Sequence, residues 1–359
     1  MKYALIGCGR ISTNHIKAAV SNHLEIAAVC DIVPEHMEAL LAKHGLEKDT
    51  SIRRYTDYKQ LLAEVAPALV GISTESGKHA QIALDCIHAG CNVIIEKPIA
   101  LSLQDADAII AAGKEKGVKV CACHQNRFNI SIQHIRKAVE QGRFGKMSHG
   151  CVHVRWNRNQ DYYTQAPWRG TWAQDGGSLM NQSIHGIDLL RWMMGDEIEE
   201  VFAYTAQQFH NYLECEDVGL GVVKFKNGAI GTIEGTTNVF PKNLEETLYL
   251  FGEKGTIKAG GKSTNTLEVW QFADHKPEDD DLSKGFEEET SNVYGNGHTS
   301  VYADVIDAIE HDREPYICAE AGRRALELVL AIYKSAAEGR PVKLPMKECS
   351  TTEFTGRFG

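Results

Sequence analysis

No apolar run in this 359-residue chain approaches the roughly 20 residues needed to span a bilayer. The segment Tyr3-Ala4-Leu5-Ile6 leads straight into a glycine loop, without the apolar stretch and cleavage site of a secretory signal. The expectation is a cytoplasmic protein that does not enter the membrane. Positive charge is in deficit: a net charge of −10 argues against general affinity for nucleic acid or anionic lipid. A few local arginines could still receive a small anion. The ten cysteines follow neither metal-ligand nor disulfide spacing, so no metal is expected. Cys121 and Cys123, one residue apart in a strand-like run, would share one face, and the set reads as reduced, buried thiols. Internal repeats and low-complexity linkers are also missing.

What remains is an ordinary globular composition, 43% hydrophobic and 24% charged, in a chain long enough for two domains. Residues 2 to 123 alternate short, continuously apolar runs with helical patterns. The runs are Tyr3–Gly7, Leu24–Asp31, Ala68–Ser73, Asn92–Glu96 and Val118–Cys123, apolar throughout as buried parallel strands are. The helical stretches are punctuated: residues 78 to 89 stop at Gly90, and residues 103 to 116 start after Ser102, with Asp105 three places on, and stop at Gly117. This alternation predicts a doubly wound parallel sheet over residues 1–123.

Residues 124–359 read as a second, α+β domain with a large, mostly antiparallel, open-faced sheet. Asp217–Lys226 and Ala229–Val239 flank Asn227-Gly228, a two-residue hairpin signal. Further alternating runs lie at Glu246–Phe251, Thr256–Gly260 and Leu267–Phe272. Helices are expected near 130–141, 178–194, 299–311 and 319–338. The acidic stretch 277–291 reads as a solvated loop. A large sheet with one uncovered face calls for a partner, so a homo-oligomer, dimer or tetramer, is expected.

Three motifs carry chemistry. Gly7-Cys8-Gly9-Arg10-Ile11-Ser12 follows the first strand and opens a helix, where glycines let the backbone approach a pyrophosphate and the helix amides meet its charge. Ser12 replaces the third glycine of the dinucleotide fingerprint. Asp31 closes the second strand at the spacing of about 20 residues where a carboxylate holds a ribose 2′-hydroxyl and repels a 2′-phosphate, favouring NAD over NADP. Glu96-Lys97-Pro98 ends another strand, placing Lys97 where ligands of open α/β sheets bind and where a lysine can exchange a proton with a hydroxyl. Finally, Gly176-Gly177 leads into a largely apolar helix on which Asn181, His185 and Asp188 share one stripe. Buried polar groups need partners, so the stripe is either an internal hydrogen-bond network or a catalytic face. A further cluster, Asn126, Arg127, Asn129, Arg155, Trp156, Arg158, Tyr163, Trp168, Arg169 and Trp172, supplies forked cations and flat rings suited to an anion or a sugar face.

Together these residues resemble the Gfo/Idh/MocA oxidoreductase family, through Gly7-Cys8-Gly9, Ile72-Ser73-Thr74 with His79, Glu96-Lys97-Pro98, and Gly176-Gly177 running to His185 and Asp188. The resemblance covers nearly the whole chain and implies NAD-dependent oxidation of a sugar hydroxyl, with Lys97 and His185 acting on the reacting carbinol. The family often carries aspartate four residues before that histidine. This chain has Asn181, which cannot act as a base. A narrower resemblance, to bacterial UDP-N-acetyl-2-amino-2-deoxyglucuronate 3-dehydrogenases, rests on Trp168-Arg169-Gly170-Thr171-Trp172, Asp175-Gly176-Gly177, Met180-Asn181-Gln182, Pro241-Lys242-Asn243-Leu244-Glu245, Gly252-Glu253-Lys254-Gly255-Thr256 and Val293-Tyr294-Gly295. It implies a nucleotide-sugar uronate substrate oxidised at its 3-hydroxyl, in surface-polysaccharide synthesis. The expected cofactor contacts are Gly7, Cys8, Gly9, Arg10, Ile11, Asp31, Ser73, Thr74, His79, Glu96, Lys97, Gln125 and Trp168. The expected substrate contacts are Lys97, Arg127, Arg158, Tyr163, Asn181 and His185. Other activities on such a fold are inositol or free-aldose dehydrogenase, NAD-dependent glycosidase and non-catalytic sensor. The last would need neither Lys97 nor His185.

Overall fold

The computed structural model describes residues 1–290 and 295–358. Of the segments singled out above, Ser291, Val293 and Tyr294 lie outside these residues. The chain divides into two compact units, Met1–His124 with His298–Arg323, and Gln125–Gly297 with Arg324–Gly359. Residues 298–323, read from sequence with the second domain, therefore belong with the first. The chain returns to an edge strand there: the Ala122 amide donates to the Ile317 carbonyl at 3.1 Å, and the backbones of Cys121 and Cys318 pair as an isolated antiparallel β-bridge. Nothing in the periodicity of that segment announces such a long-range pairing.

The first unit is built on six parallel strands among the described residues: β1 (Lys2–Ile6), β2 (Glu25–Cys30), β3 (Arg53–Tyr55), β4 (Leu69–Ile72), β5 (Asn92–Glu96) and β6 (Val120–Cys123). Their order is β3-β2-β1-β4-β5-β6. β3, three residues with two arginines, has no apolar run and is missing from the sequence reading. Helices Ser12–Ser21, His79–His88 and Leu103–Lys116 fall where the punctuation puts them, the last with the Asp105 amide donating to Ser102 Oγ at 3.0 Å and Gly117 at φ +65°. The strand order reverses between β1 and β4, whose last residues Ile6 and Ile72 are paired. Ligands of open parallel sheets bind beyond the carboxyl ends of the strands at such a point.

The second unit holds a nine-stranded sheet among the described residues: β7 (Met147–Arg155), β8 (Ile198–Ala206), β9 (Val218–Phe225), β10 (Ile230–Thr236), β11 (Glu245–Gly252), β12 (Gly255–Gly260), β13 (Thr266–Phe272), β14 (Phe286–Glu287) and β15 (Val342–Lys343). Its order is β14-β13-β12-β11-β7-β10-β9-β8-β15, antiparallel except for the β7–β10 pair. One face is covered in part by the buried helix Ile184–Met194, packed on β7, β10 and β11. The alternation of β9 turns Leu220 and Val222 outward, 52% and 51% exposed, beside Tyr204 on β8 and Ile230 on β10.

Two local expectations change. At Asn227-Gly228 the Phe225 amide bonds to the Ala229 carbonyl, leaving Lys226–Gly228 as a three-residue loop with Gly228 at φ +88°, in place of a two-residue turn. The acidic stretch is not wholly solvated: Asp279 is buried, accepting both Nη groups of Arg143 and the indole N–H of Trp270. The arginine fork and the indole compensate that carboxylate for burial. Of the ten cysteines, most are buried and none is bridged.

Candidate functional site

In the first unit the glycine loop turns at Gly7, φ +94°. A Cβ there would lie 2.6 Å from the Ser73 carbonyl group and 2.7 Å from the Thr74 nitrogen, so this glycine lets the loops after β1 and β4 touch. Ser73 seals that contact, its Oγ donating to the Gly7 carbonyl at 2.7 Å. Gly9 differs: a Cβ there would meet nothing within 4 Å. Open space beside a glycine is what the approach of a pyrophosphate requires. Buried Ser12 donates its hydroxyl to the Gly9 carbonyl, so the residue in the third glycine position tightens the turn. The helix from Ser12 carries no side-chain cap, and its Ser12 and Asn14 amides donate to the Gly9 and Ile11 carbonyls within the turn. Arg10 and Ile11 form the crest of this loop, Arg10 exposed.

Asp31 is fixed by the same loop. Its Oδ2 accepts the Cys8 amide at 2.8 Å, and its Oδ1 accepts the Val33 amide at 2.9 Å with His36 Nδ1 at 3.3 Å. The carboxylate is thus oriented by backbone donors beyond the end of β2.

Two residues expected on the cofactor prove to be committed inward. His79, buried at the head of its helix, has Nδ1 2.8 Å from the Pro98 carbonyl and Nε2 3.1 Å from the Thr74 carbonyl. It braces the loops after β4 and β5 against each other. Glu96 is buried, its Oε1 at hydrogen-bond distance from His15 and His298 and its Oε2 from the Lys97 amide. Lys97, half-buried, follows directly, and the Lys97–Pro98 peptide is cis.

In the second unit, Gly176 at φ +84° and Gly177 lead into a π-turn, Leu179–Ser183, and then the helix Ile184–Met194. Buried Glu216 anchors this start: its Oε1 accepts the Leu179 amide at 2.8 Å and the Tyr333 hydroxyl at 3.0 Å. Burial pushes the Glu216 carboxyl up to about 8. A Cβ on Gly177 would fall 1.8 Å from Glu216 Oε2, so the second glycine exists to admit a carboxylate.

The expected stripe splits. His185 and Asp188 both turn to the short segment Gln125–Phe128. Gln125 Nε2 lies 3.3 Å from His185 Nε2, and Asn126 Nδ2 donates to Glu246 Oε1 at 3.2 Å. Arg127 meets Asp188 in a fork, Nε to Oδ2 and Nη2 to Oδ1, each at 2.7 Å, while Arg191 donates to the same Oδ1 at 3.0 Å. The π-turn rotates Asn181 away from that stripe, so that its amide donates to Asp175.

The substrate-contact expectations change accordingly. Arg127 is only 3% exposed, its fork already filled and its guanidinium 4.5 Å from the Trp192 ring centroid. It holds the His185 helix in place of an incoming carboxylate. Tyr163 is buried with its hydroxyl 3.4 Å from Thr237 Oγ1, and burial pushes its phenol above the usual range. The half-exposed neighbour Tyr162, passed over in the sequence, has the more open position: its hydroxyl accepts Gln182 Nε2 at 3.0 Å. Arg158, half-buried, donates to Gln182 Oε1 at 3.1 Å, with its guanidinium 5.0 Å from the Tyr162 ring, while that of Arg169 lies 4.0 Å from the same ring. Arg169 also lies 5.3 Å from the ring of half-buried Trp168. The sequence reading names Asp175 and Gln182 only within matched stretches and gives them no contact, and it does not single out Glu216, because a buried acid or amide looks the same as a solvated one until its partners are known.

A family model described as the oxidoreductase family, NAD-binding Rossmann fold (Gfo/Idh/MocA) matches residues 1–124, and its C-terminal alpha/beta domain matches 136–344. The chain is similar to the WlbA dehydrogenase from Bordetella pertussis, whose crystal structure holds NADH and UDP-GlcNAcA: 37% identity, TM-score 0.86, covering 96% of this chain and 99% of that one. The WlbA dehydrogenase of Chromobacterium violaceum, also solved with NADH and UDP-GlcNAcA, is 35% identical with TM-score 0.88, covering 97% and 96%. Myo-inositol 2-dehydrogenase of Thermotoga maritima is 27% identical over 96% of this chain and 98% of its own length.

Proposed function

The chain belongs to the Gfo/Idh/MocA family of NAD-dependent sugar oxidoreductases, and from that premise we propose that it oxidises the 3-hydroxyl of a UDP-N-acetylhexosaminuronate. The observation that carries the substrate is the 35–37% identity, over nearly full length, to two enzymes solved with UDP-GlcNAcA, against 27% to the inositol enzyme. The paired guanidinium groups of Arg158 and Arg169 about Tyr162 add cationic, planar surface suited to a uronate or diphosphate.

NAD supplies the hydride acceptor. On the first unit, the Gly7–Ser12 turn and the helix amides behind it hold the pyrophosphate, Asp31 takes the adenosine ribose, and Ser73 and Thr74 border the same loop. Lys97 and His185 hold the reacting hydroxyl, one of them taking its proton as the carbinol hydride departs and the carbinol becomes a ketone. Gln125 keeps the His185 ring in place, and Arg127 with Asp188 holds the helix beneath it. Asn181, positioned by Asp175, orients the hydroxyl or the N-acetyl group. Trp168 and Arg10 complete the cofactor contacts. No helix among the described residues is long and apolar enough to cross a membrane, and we place the enzyme in the cytoplasm, where nucleotide sugars are made. The exposed apolar strip of Tyr204, Leu220, Val222 and Ile230 is covered by a second copy of the chain in a dimer or tetramer.

The proposal is tested with UDP-N-acetylglucosaminuronate deuterated at C3. Transfer of the label to NADH, with a 3-ketone in the product by NMR, supports it. Unlabelled NADH from the same sugar places the oxidation at another carbon.

A further inference from the structure

The end of β5 is held from behind by groups that a dinucleotide site does not itself demand. Glu96 Oε1 lies 3.0 Å from His15 Nε2 and 3.1 Å from His298 Nε2, and Glu96 Oε2 accepts the Lys97 amide at 3.2 Å. Behind His15, Nδ1 is 2.7 Å from the Tyr302 hydroxyl, which is 2.6 Å from the Tyr3 hydroxyl. All five side chains are buried, and the two imidazoles meet edge to face with centroids 5.3 Å apart. One helix supplies both His298 and Tyr302, a turn apart; the helix after the glycine loop supplies His15, and β1 supplies Tyr3.

Hydrogen-bond chemistry gives this chain of contacts a direction. A carboxylate only accepts, so both imidazoles present Nε2–H to it. Burial keeps His15 neutral, and the two imidazole donors hold Glu96 ionised. A neutral His15 has an accepting Nδ1, so Tyr302 donates to it, and Tyr3 in turn donates to Tyr302. Every donor points toward Glu96, and the output of the chain is the second carboxylate oxygen, on the backbone amide of Lys97. From the other side, His79 bonds to the carbonyl of Pro98. The peptide that carries Lys97 is thereby pinned at both ends.

We propose that His15 and His298 are positioning residues for Lys97: by clamping the Glu96 carboxylate they fix the Lys97 backbone and hence the reach of its ammonium. This rests on the assignment of Lys97 as a proton-transfer group. The three atoms His15 Nε2, Glu96 Oε1 and His298 Nε2 lie within 4.8 Å of one another, so they could also gather a cation. The hydrogen-bond distances already satisfy all three without one.

The experiment compares His15→Phe, His298→Phe, His15→Gln, His298→Gln and Lys97→Met in the full-length enzyme. The assay uses UDP-N-acetylglucosaminuronate and NAD, or myo-inositol if that is what the wild type oxidises; NADH affinity is read by fluorescence. Phenylalanine keeps a ring without a donor, whereas glutamine keeps a donor. Misplacing a reacting group by about 1 Å can cost about 100-fold. The expected result is a roughly 10–100-fold loss of kcat in the Phe variants, with sugar KM and NADH affinity within about threefold, and recovery to within about fivefold in the Gln variants. If the Phe variants do not fold, the Gln variants decide: kcat within that limit supports the clamp, and a larger loss overturns it. The inference is overturned if folded Phe variants keep wild-type kcat, if the loss falls on NADH affinity, or if the Gln variants are as poor as the Phe ones. A stoichiometric metal in the isolated protein whose chelation abolishes activity also overturns it. Lys97→Met separates the two claims: an active Lys97→Met refutes the parent assignment, whereas an inactive one beside fully active His variants refutes only the clamp.

Discussion

Arg127 donates through Nε and Nη2 to the two oxygens of Asp188, both at 2.7 Å, with all four atoms buried. The pair ties the Gln125–Phe128 segment to the helix that carries His185, and Arg191 shares the same carboxylate. Breaking one partner of a buried pair leaves uncompensated charge and typically costs about 3–5 kcal/mol. Asp188→Asn keeps the shape but strands two guanidinium groups. A fall in Tm of roughly 6–12 °C is expected by differential scanning fluorimetry. An unchanged Tm would mean that the pair contributes nothing net.

Glu216 sets a pH dependence of stability. Its carboxyl stays protonated in the folded chain up to about pH 8, whereas an unfolded glutamate ionises near 4.5. The folded form therefore holds an extra proton between those limits. The contribution is fully present below about 4.5 and is lost as pH rises through about 8. Melting temperature should fall between pH 6 and 9 by several degrees more in the wild type than in Glu216→Gln, which keeps the acceptor for Leu179 and Tyr333. Parallel Tm–pH curves for the two proteins would contradict this.

The same carboxyl group occupies the space that a side chain at Gly177 would need. A methyl group there would land 1.8 Å from Glu216 Oε2, on a buried side chain already held by the Leu179 amide and the Tyr333 hydroxyl. Gly177→Ala should destabilise by about 1–3 kcal/mol or more and leave little soluble protein. Soluble Gly177→Ala with wild-type melting would show that the carboxylate is not seated as described.

The Cys8 and Val33 amides orient the Asp31 carboxylate, which is proposed above to take the adenosine ribose. Hydrogen bonds to a charged group contribute about 1.5–3 kcal/mol, equivalent to roughly 10–100-fold in affinity. Asp31→Ser should raise KM for NAD by that factor and improve the NADP-to-NAD ratio of kcat/KM, because the charge that repels a 2′-phosphate is gone. Unchanged coenzyme preference would place the discrimination elsewhere.

How much of this was legible beforehand depends on the range of the interaction. The strands of the first sheet announce themselves as continuous apolar runs and its helices by Ser102, Gly90 and Gly117, all local signals. β3 is too short and too charged to register, and the return of residues 298–323 is a matter of long-range pairing. The site divides the same way. The glycine loop, Asp31, Lys97 and His185 are motif positions, readable from neighbours in sequence. That Arg127 is spent on Asp188, that Glu96 faces His15 and His298, and that Tyr162 is more open than Tyr163 depend on partners tens to hundreds of residues away. The π-turn at Leu179–Ser183 also breaks the simple helical phase that aligned Asn181 with His185.

The proposed substrate is tested most directly by kcat/KM for UDP-N-acetylglucosaminuronate and myo-inositol, with NAD as the acceptor in both cases. The nucleotide sugar should be preferred by at least about 100-fold, the order of discrimination that hydrogen-bonded recognition provides. Equal rates, or a preference for myo-inositol, would contradict it.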